Sequence, residues 1–154
     1  MNNHHELNAQ ATIDYAYCPP ASGTHWNIAG LGPIPRNFYG PEAEKPPGGW
    51  IHDMEHGFLV AAYSCKNGCP SADELAALKQ WMDSVPSTAG AVKCQVPNKV
   101  LVVRFDAMAT KYAFMVWDRA LLMDKFDPAT ATEFANQWID PPQAPEQGLC
   151  VGTS

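Results

Sequence analysis

The chain has no run of basic residues. Ten Lys and Arg stand against sixteen Asp and Glu, for a net charge of −6. An electrostatic footprint for nucleic acid or an anionic membrane surface is therefore missing. Long apolar runs are missing as well, so nothing reads as a membrane span. There is no G-x-S-x-G elbow, no Walker loop and no Rossmann glycine fingerprint. Internal repeats and low-complexity tracts are absent, and no signal-peptide pattern opens the chain. Its polar start, MNNHHELNAQ, reads as the beginning of a trimmed or mature chain. The cysteines form no paired CxxC zinc pattern. Three residues separate Cys65 from Cys69, so the two-residue spacing of a thioredoxin-type redox motif is lacking too.

What is there is a globular composition. Apolar residues make 46% of the 154 and charged residues 17%, enough to bury one hydrophobic core. We expect a single domain over 1–154, with 1–14 and 141–154 as peripheral tails. Five cysteines (18, 65, 69, 94 and 150) are many for this length. Two disulfides and one leftover thiol in a secreted or periplasmic protein are the simplest reading. Cys65 or Cys69 is expected in a bridge, because SCKNGCP is a turn at a strand end where another segment can reach. Four of five cysteines can pair in many ways, and the sequence does not choose.

The first 50 residues are dense in Pro and Gly, which argues against long helices there. They also carry Tyr15, Tyr17, Trp26, Phe38, Tyr39 and Trp50, so an ordered irregular layer is expected rather than a linker. Phe58–Tyr63 is continuously apolar and reads as a central strand. Ser71 with Glu74 forms a capping box before a helix near 72–85, which Pro86 stops. Strands are expected near 99–105 and 112–117, joined as a hairpin. Asp127 and Pro128 open a second helix near 128–139. The predicted fold is α+β: a small mixed sheet in strand–helix–strand–strand–helix order, two packed helices and an irregular N-terminal layer. The strand–helix–strand crossover predicts a parallel pair.

Two segments carry the chemistry: Pro19–Trp26, read PPASGTHW, and His52–Gly57, read HDMEHG. Imidazole is the commonest metal ligand, being neutral near pH 7 with a free lone pair. His52 and His56, four apart, with His25 from a distant loop, would supply three facing nitrogens for copper or zinc. Glu55 can hold a ligating imidazole through its second nitrogen or act as a catalytic acid or base. Met54 is a candidate axial ligand, although packing is the commoner role, and Trp26 a candidate neighbour of the site. HDMEH matches the inverted zinc-peptidase motif H-x-x-E-H, but Pro46–Gly49 just before it and Gly57 just after leave no room for a long helix. Ser22 lies too close in sequence to His25 to be a plausible nucleophile with its base. The pair His4-His5 reads only as an adventitious metal binder.

The pairing of PPxSGxH with HxxEHG before an apolar strand resembles the signature of an uncharacterised family. It is a domain of unknown function found in bacterial secreted or membrane-anchored proteins, with a related domain in a p53-inducible animal protein. The resemblance continues through Val100–Phe105, Trp117-Asp118-Arg119, Phe126-Asp127, Phe134 and Pro145-Glu146. The family's usual loop reads PPTSGPH; here Ala21 and Thr24 replace its Thr and Pro, Cys18 precedes the loop, and His25 is kept. The resemblance implies that His25, His52, Glu55 and His56 matter together and implies no activity.

Three function classes follow. One is an extracytoplasmic metal-binding protein, a copper or zinc carrier or sensor without turnover. Another is a small metalloenzyme in which Glu55 is the general acid or base and the metal activates water or oxygen. The third is a structural or interaction module whose histidines tie the Pro-rich layer to the sheet. The expected partner is the metal ion; nucleic acid and a membrane span within this chain are not expected.

Overall fold

Strand β3 (Leu59–Tyr63) is apolar at every position because both its faces are covered. The computed structural model describes residues 4–151; the outermost residues of both expected tails, 1–3 and 152–154, lie outside the described residues. Before β3 come the two-residue strands β1 (His5–Glu6) and β2 (His25–Trp26) and helix α1 (Pro47–Glu55). After it come α2 (Ala72–Ser84), α3 (Ala89–Lys93), β4 (Val100–Arg104), β5 (Tyr112–Val116), β6 (Arg119–Met123) and α4 (Pro128–Trp138). The main sheet runs β4-β3-β5-β6, and β1 pairs with β2 in a small sheet of its own.

Alternation along the strands divides the core. Val60 and Ala62 join Leu101, Val103, Ala113 and Met115 on one face, under Trp50, Ile51 and Met54 of α1. Leu59, Ala61 and Tyr63 join Val100, Val102 and Phe114 on the other, under Leu78, Trp81 and Met82 of α2 and Ala131 and Ala135 of α4. Helix α2 begins as its capping box predicts: Glu74 N–H donates to Ser71 Oγ at 3.1 Å, and Ser71 N–H donates to Glu74 Oε2 at 3.3 Å. Asp127 caps α4 through the Ala129 N–H. Trp81 Nε1–H reaches Thr132 Oγ1 at 3.1 Å and fastens the two helices together.

The mixed sheet agrees with expectation, with β3 and β4 parallel, but the hairpin does not. β4 and β5 lie on opposite sides of β3, and β5 runs antiparallel to β3 instead. The 105–111 connection wraps the end of β3, where Phe105 N–H donates to Tyr63 O and Ser64 N–H to Lys111 O, so both ladders continue around it. The tight hairpin is β5–β6, turning at Trp117-Asp118, with Asp118 in the left-handed region at φ 65°. Its second strand was not foreseen because, as a partly exposed edge, it lacks a clean apolar pattern.

The Pro/Gly-rich segment is ordered, as its aromatics suggest. Val102 N–H donates to Asn37 O and Tyr39 N–H to Val102 O, which covers the open edge of β4. The described residues of 1–14 and 141–154 each make a long-range link. His5 and Glu6 pair with β2, and Cys150 is bonded to Cys94. Non-local pairing of this kind leaves no mark on the local sequence. The second bridge joins Cys65 to Cys69, and Cys18 is the free, exposed thiol.

Candidate metal centre

Helix α1 forms where the Pro and Gly density argued against a long helix. Nine residues suffice. Pro47 sits in the first turn, where its missing N–H costs nothing. Gly48 admits the neighbouring strand: a Cβ there would lie 2.7 Å from the Trp26 ring and 3.0 Å from Ile13 Cδ1. Spaced three apart, His52 and Glu55 share one face of the helix. Met54 points the other way and is fully buried in the core, so the structure gives it the packing role. His56 occupies the C-cap with φ −91° and ψ 12°, and Gly57 at φ 93° ends the helix. The second histidine of the HxxEH pattern thus leaves the helix that carries the first.

The other side of the centre comes from β1 and β2. These pair in parallel, with His5 directly opposite His25, so both imidazoles stand on the same side. His25 N–H donates to His4 O at 3.1 Å and Asn27 N–H to Glu6 O at 3.2 Å. Tyr15 Oη–H donates to Thr24 O at 2.8 Å and steadies the incoming loop.

Three imidazoles close on one carboxylate. His5 Nε2 and His25 Nε2 each lie 3.0 Å from Glu55 Oε2, and His52 Nε2 lies 3.9 Å from it. The ring centroids of His25 lie 4.9 Å from those of His5 and of His52. The outer nitrogens are fixed by backbone carbonyls. His25 Nδ1–H donates to Gly23 O at 2.8 Å, and His52 Nδ1–H to Trp26 O at 2.7 Å. Both rings therefore turn Nε2 inward, the arrangement in which second-nitrogen hydrogen bonds orient metal ligands. His25 and Glu55 have fully buried side chains, His52 is nearly so, and His5 is about one-third exposed.

Burial alone would raise the Glu55 carboxyl, but hydrogen bonding to His25 and His5 outweighs it and brings its pKa down to about 2. Burial lowers His52 to about 4. Burial also pushes the neighbouring Asp53 carboxyl up; its Oδ2 accepts the Ile34 N–H at 3.1 Å and pins the irregular layer to α1. One oxygen, Glu55 Oε1, is buried with no hydrogen-bond partner.

A second group adjoins the first. Glu55, His56 and Glu146 each offer a ligand atom, all within 4.8 Å of one another. His56 Nδ1–H donates to Leu149 O at 3.0 Å, and His56 Nε2 lies 3.3 Å from Glu146 Oε2. The fully buried Lys99 ammonium holds this corner, donating to His56 O and to Asp140 Oδ1, both at 2.8 Å.

The sequence grouped His25, His52 and His56. The structure puts His25 and His52 with His5 and Glu55 in one cluster that could hold a metal ion, and His56 with Glu55 and Glu146 in the next. His52 and His56 still touch, their rings stacked at 5.2 Å between centroids. Trp26 meets the centre through its carbonyl, which accepts from His52 Nδ1–H. His5 was missed, although His4-His5 was visible, because only the β1–β2 pairing carries it to the site. Glu146 was missed for a like reason: its N–H donates to Glu55 O across 91 positions of sequence.

A family model described as a protein of unknown function, DUF3105, matches residues 6–152. No curated protein and no solved structure matches the chain.

Proposed function

The chain belongs to this family of unknown function, which brings no activity with it, and from the cluster itself we propose that the protein is an extracytoplasmic binder of a transition-metal ion. His5, His25, His52 and Glu55 hold the ion, which is zinc or copper(II). The observation that carries this reading is the convergence of three Nε2 atoms on Glu55 Oε2. With Nδ1 of His25 and His52 donating outward, the inward faces of neutral rings are lone pairs aimed at a carboxylate. Acceptors do not attract one another. Either protons sit on buried imidazoles or a cation fills the centre, and a cation satisfies all four groups at once. A tetrahedral ion with bonds near 2.0–2.1 Å sets its ligands about 3.3 Å apart, and contacts of 3.0, 3.0 and 3.9 Å bracket that spacing.

Imidazole and carboxylate donors suit zinc and copper(II), whereas copper(I) favours sulfur. Met54 is in the core and four cysteines are bonded in pairs. The disulfides support an oxidising compartment. Burial of Glu55 supports a carrier or sensor over an enzyme in which this carboxylate meets substrate. Titration calorimetry with Zn²⁺ and Cu²⁺ on untagged protein tests the reading. Tight binding should fall at least a hundredfold in His25→Ala and in His52→Ala. Unchanged affinity in both folded variants would leave the histidines as ties between the irregular layer and the sheet.

A further inference from the structure

We propose that Glu55 bridges two metal ions, the inner one held with His5, His25 and His52 and an outer one held with His56 and Glu146. This rests on the metal reading above and extends it. The two candidate groups share one residue, Glu55. Its Oε2 is surrounded by the three inner imidazoles, while Oε1 of the same fully buried side chain has no partner. An orphaned carboxylate oxygen in the interior needs a donor or a cation. Carboxylate bridges suit ion pairs about 3.5–4 Å apart, the separation found in two-metal sites.

The outer group repeats the logic of the inner one. His56 spends Nδ1–H on the Leu149 carbonyl, leaving Nε2 beside a Glu146 carboxylate oxygen at 3.3 Å. A neutral ring in that tautomer faces the carboxylate with a lone pair, and a cation between them removes the conflict. The near-parallel rings of His52 and His56, 18° apart in plane, would then serve neighbouring ions. The segment bearing Glu146 is held in place beforehand. Its N–H is on Glu55 O at 3.0 Å, Lys93 Nζ donates to Gly148 O at 2.6 Å, and Cys150 is bonded to Cys94. Glu146 is about one-third exposed, as is His5 of the inner group, while Glu55 between the two groups is fully buried. The outer ion is a divalent cation of the zinc class, and with three protein ligands against four for the inner one it keeps a position open to water.

Equilibrium dialysis of untagged protein against Zn²⁺, followed by elemental analysis, tests this. Two ions per chain are expected in the wild type and one in His56→Gln/Glu146→Gln, with Glu146→Gln alone as the milder variant should the double change disturb folding. In wild-type protein loaded with two equivalents of Cu²⁺, the bridge should couple the spins and suppress the isolated-copper resonance. One ion in the wild type, lost on His25→Ala, would overturn the bridge and leave the single-ion reading intact. No ion at all would overturn both. Two ions in the wild type and still two in the outer-site variants, or two magnetically isolated coppers, would place the second ion elsewhere and overturn the bridge.

Discussion

At the scale of the residue, the centre depends on which nitrogen each histidine spends outward. Gly23 O and Trp26 O take the Nδ1 protons of His25 and His52, and that choice turns Nε2 of both rings inward toward Glu55. The residue types were legible in the sequence, since histidines flanking a carboxylate are the material of metal sites. The tautomers were not, because the accepting carbonyls belong to distant or irregular backbone. A pH dependence follows for the metal-free protein. His52 has its pKa lowered by burial from 6.5 to about 4, so between those values the unfolded chain takes up a proton that the folded chain refuses. Stability contributed by neutral His52 is complete above pH 6.5 and is lost as pH falls toward 4. Glu55, held from 4.5 down to about 2, continues the loss below pH 4.5, since only the unfolded chain then binds its proton. Urea unfolding at stepped pH should show this decline, and His52→Asn should flatten the part between 6.5 and 4. An unchanged slope in that variant would contradict the assignment.

At the scale of the element, α1 and β2 fit because a glycine stands between them. Ala at position 48 would ordinarily favour a helix by about 0.5–1 kcal/mol. Here its Cβ would meet the Trp26 ring at 2.7 Å, and an overpacked contact of that kind costs about 1–3 kcal/mol. Gly48→Ala should therefore lower the urea midpoint and weaken zinc binding at least tenfold, because Trp26 O orients His52 and the adjoining residue is His25. A variant as stable as the wild type with full affinity would show that the strand moves freely. Elements with a strong local signal were legible: the capping box of α2, the Asp127 start of α4 and the doubly buried run of β3. Helix α1 was hidden by prolines and glycines that serve its first turn and its packing, and the exposed edge strand β6 by its poor alternation. The order β4-β3-β5 was hidden because a short connection suggests a hairpin whether or not a third strand lies between its ends.

At the scale of the whole molecule, the centre is a meeting place of chain ends and middle. His5, His25, His52 and Glu146 come from segments that only tertiary pairing joins, which explains why an N-terminal histidine and a C-terminal glutamate escaped a sequence reading built on two motifs. The Cys94–Cys150 bridge closes a loop with a sequence separation of 56, which on chain-entropy reasoning stabilises the fold by about 4 kcal/mol. Cys94→Ser/Cys150→Ser should cost a large part of that in chemical unfolding and raise hydrogen exchange across 140–151. Loss of less than about 1 kcal/mol would mean that the tail is held by its other contacts, chiefly Lys99 with Asp140 and the Glu146 N–H on Glu55. No helix among the described residues is long and apolar enough to cross a membrane.

The central claim is that His5, His25, His52 and Glu55 surround one ion. Crystals of untagged protein loaded with a single equivalent of zinc, measured at the zinc absorption edge, test it most directly. The account predicts an anomalous peak at about 2.0–2.1 Å from Nε2 of all three histidines, with a Glu55 oxygen completing the shell. A peak confined to His4 or another surface group, or no peak with the three imidazoles still closed on Glu55, would contradict it.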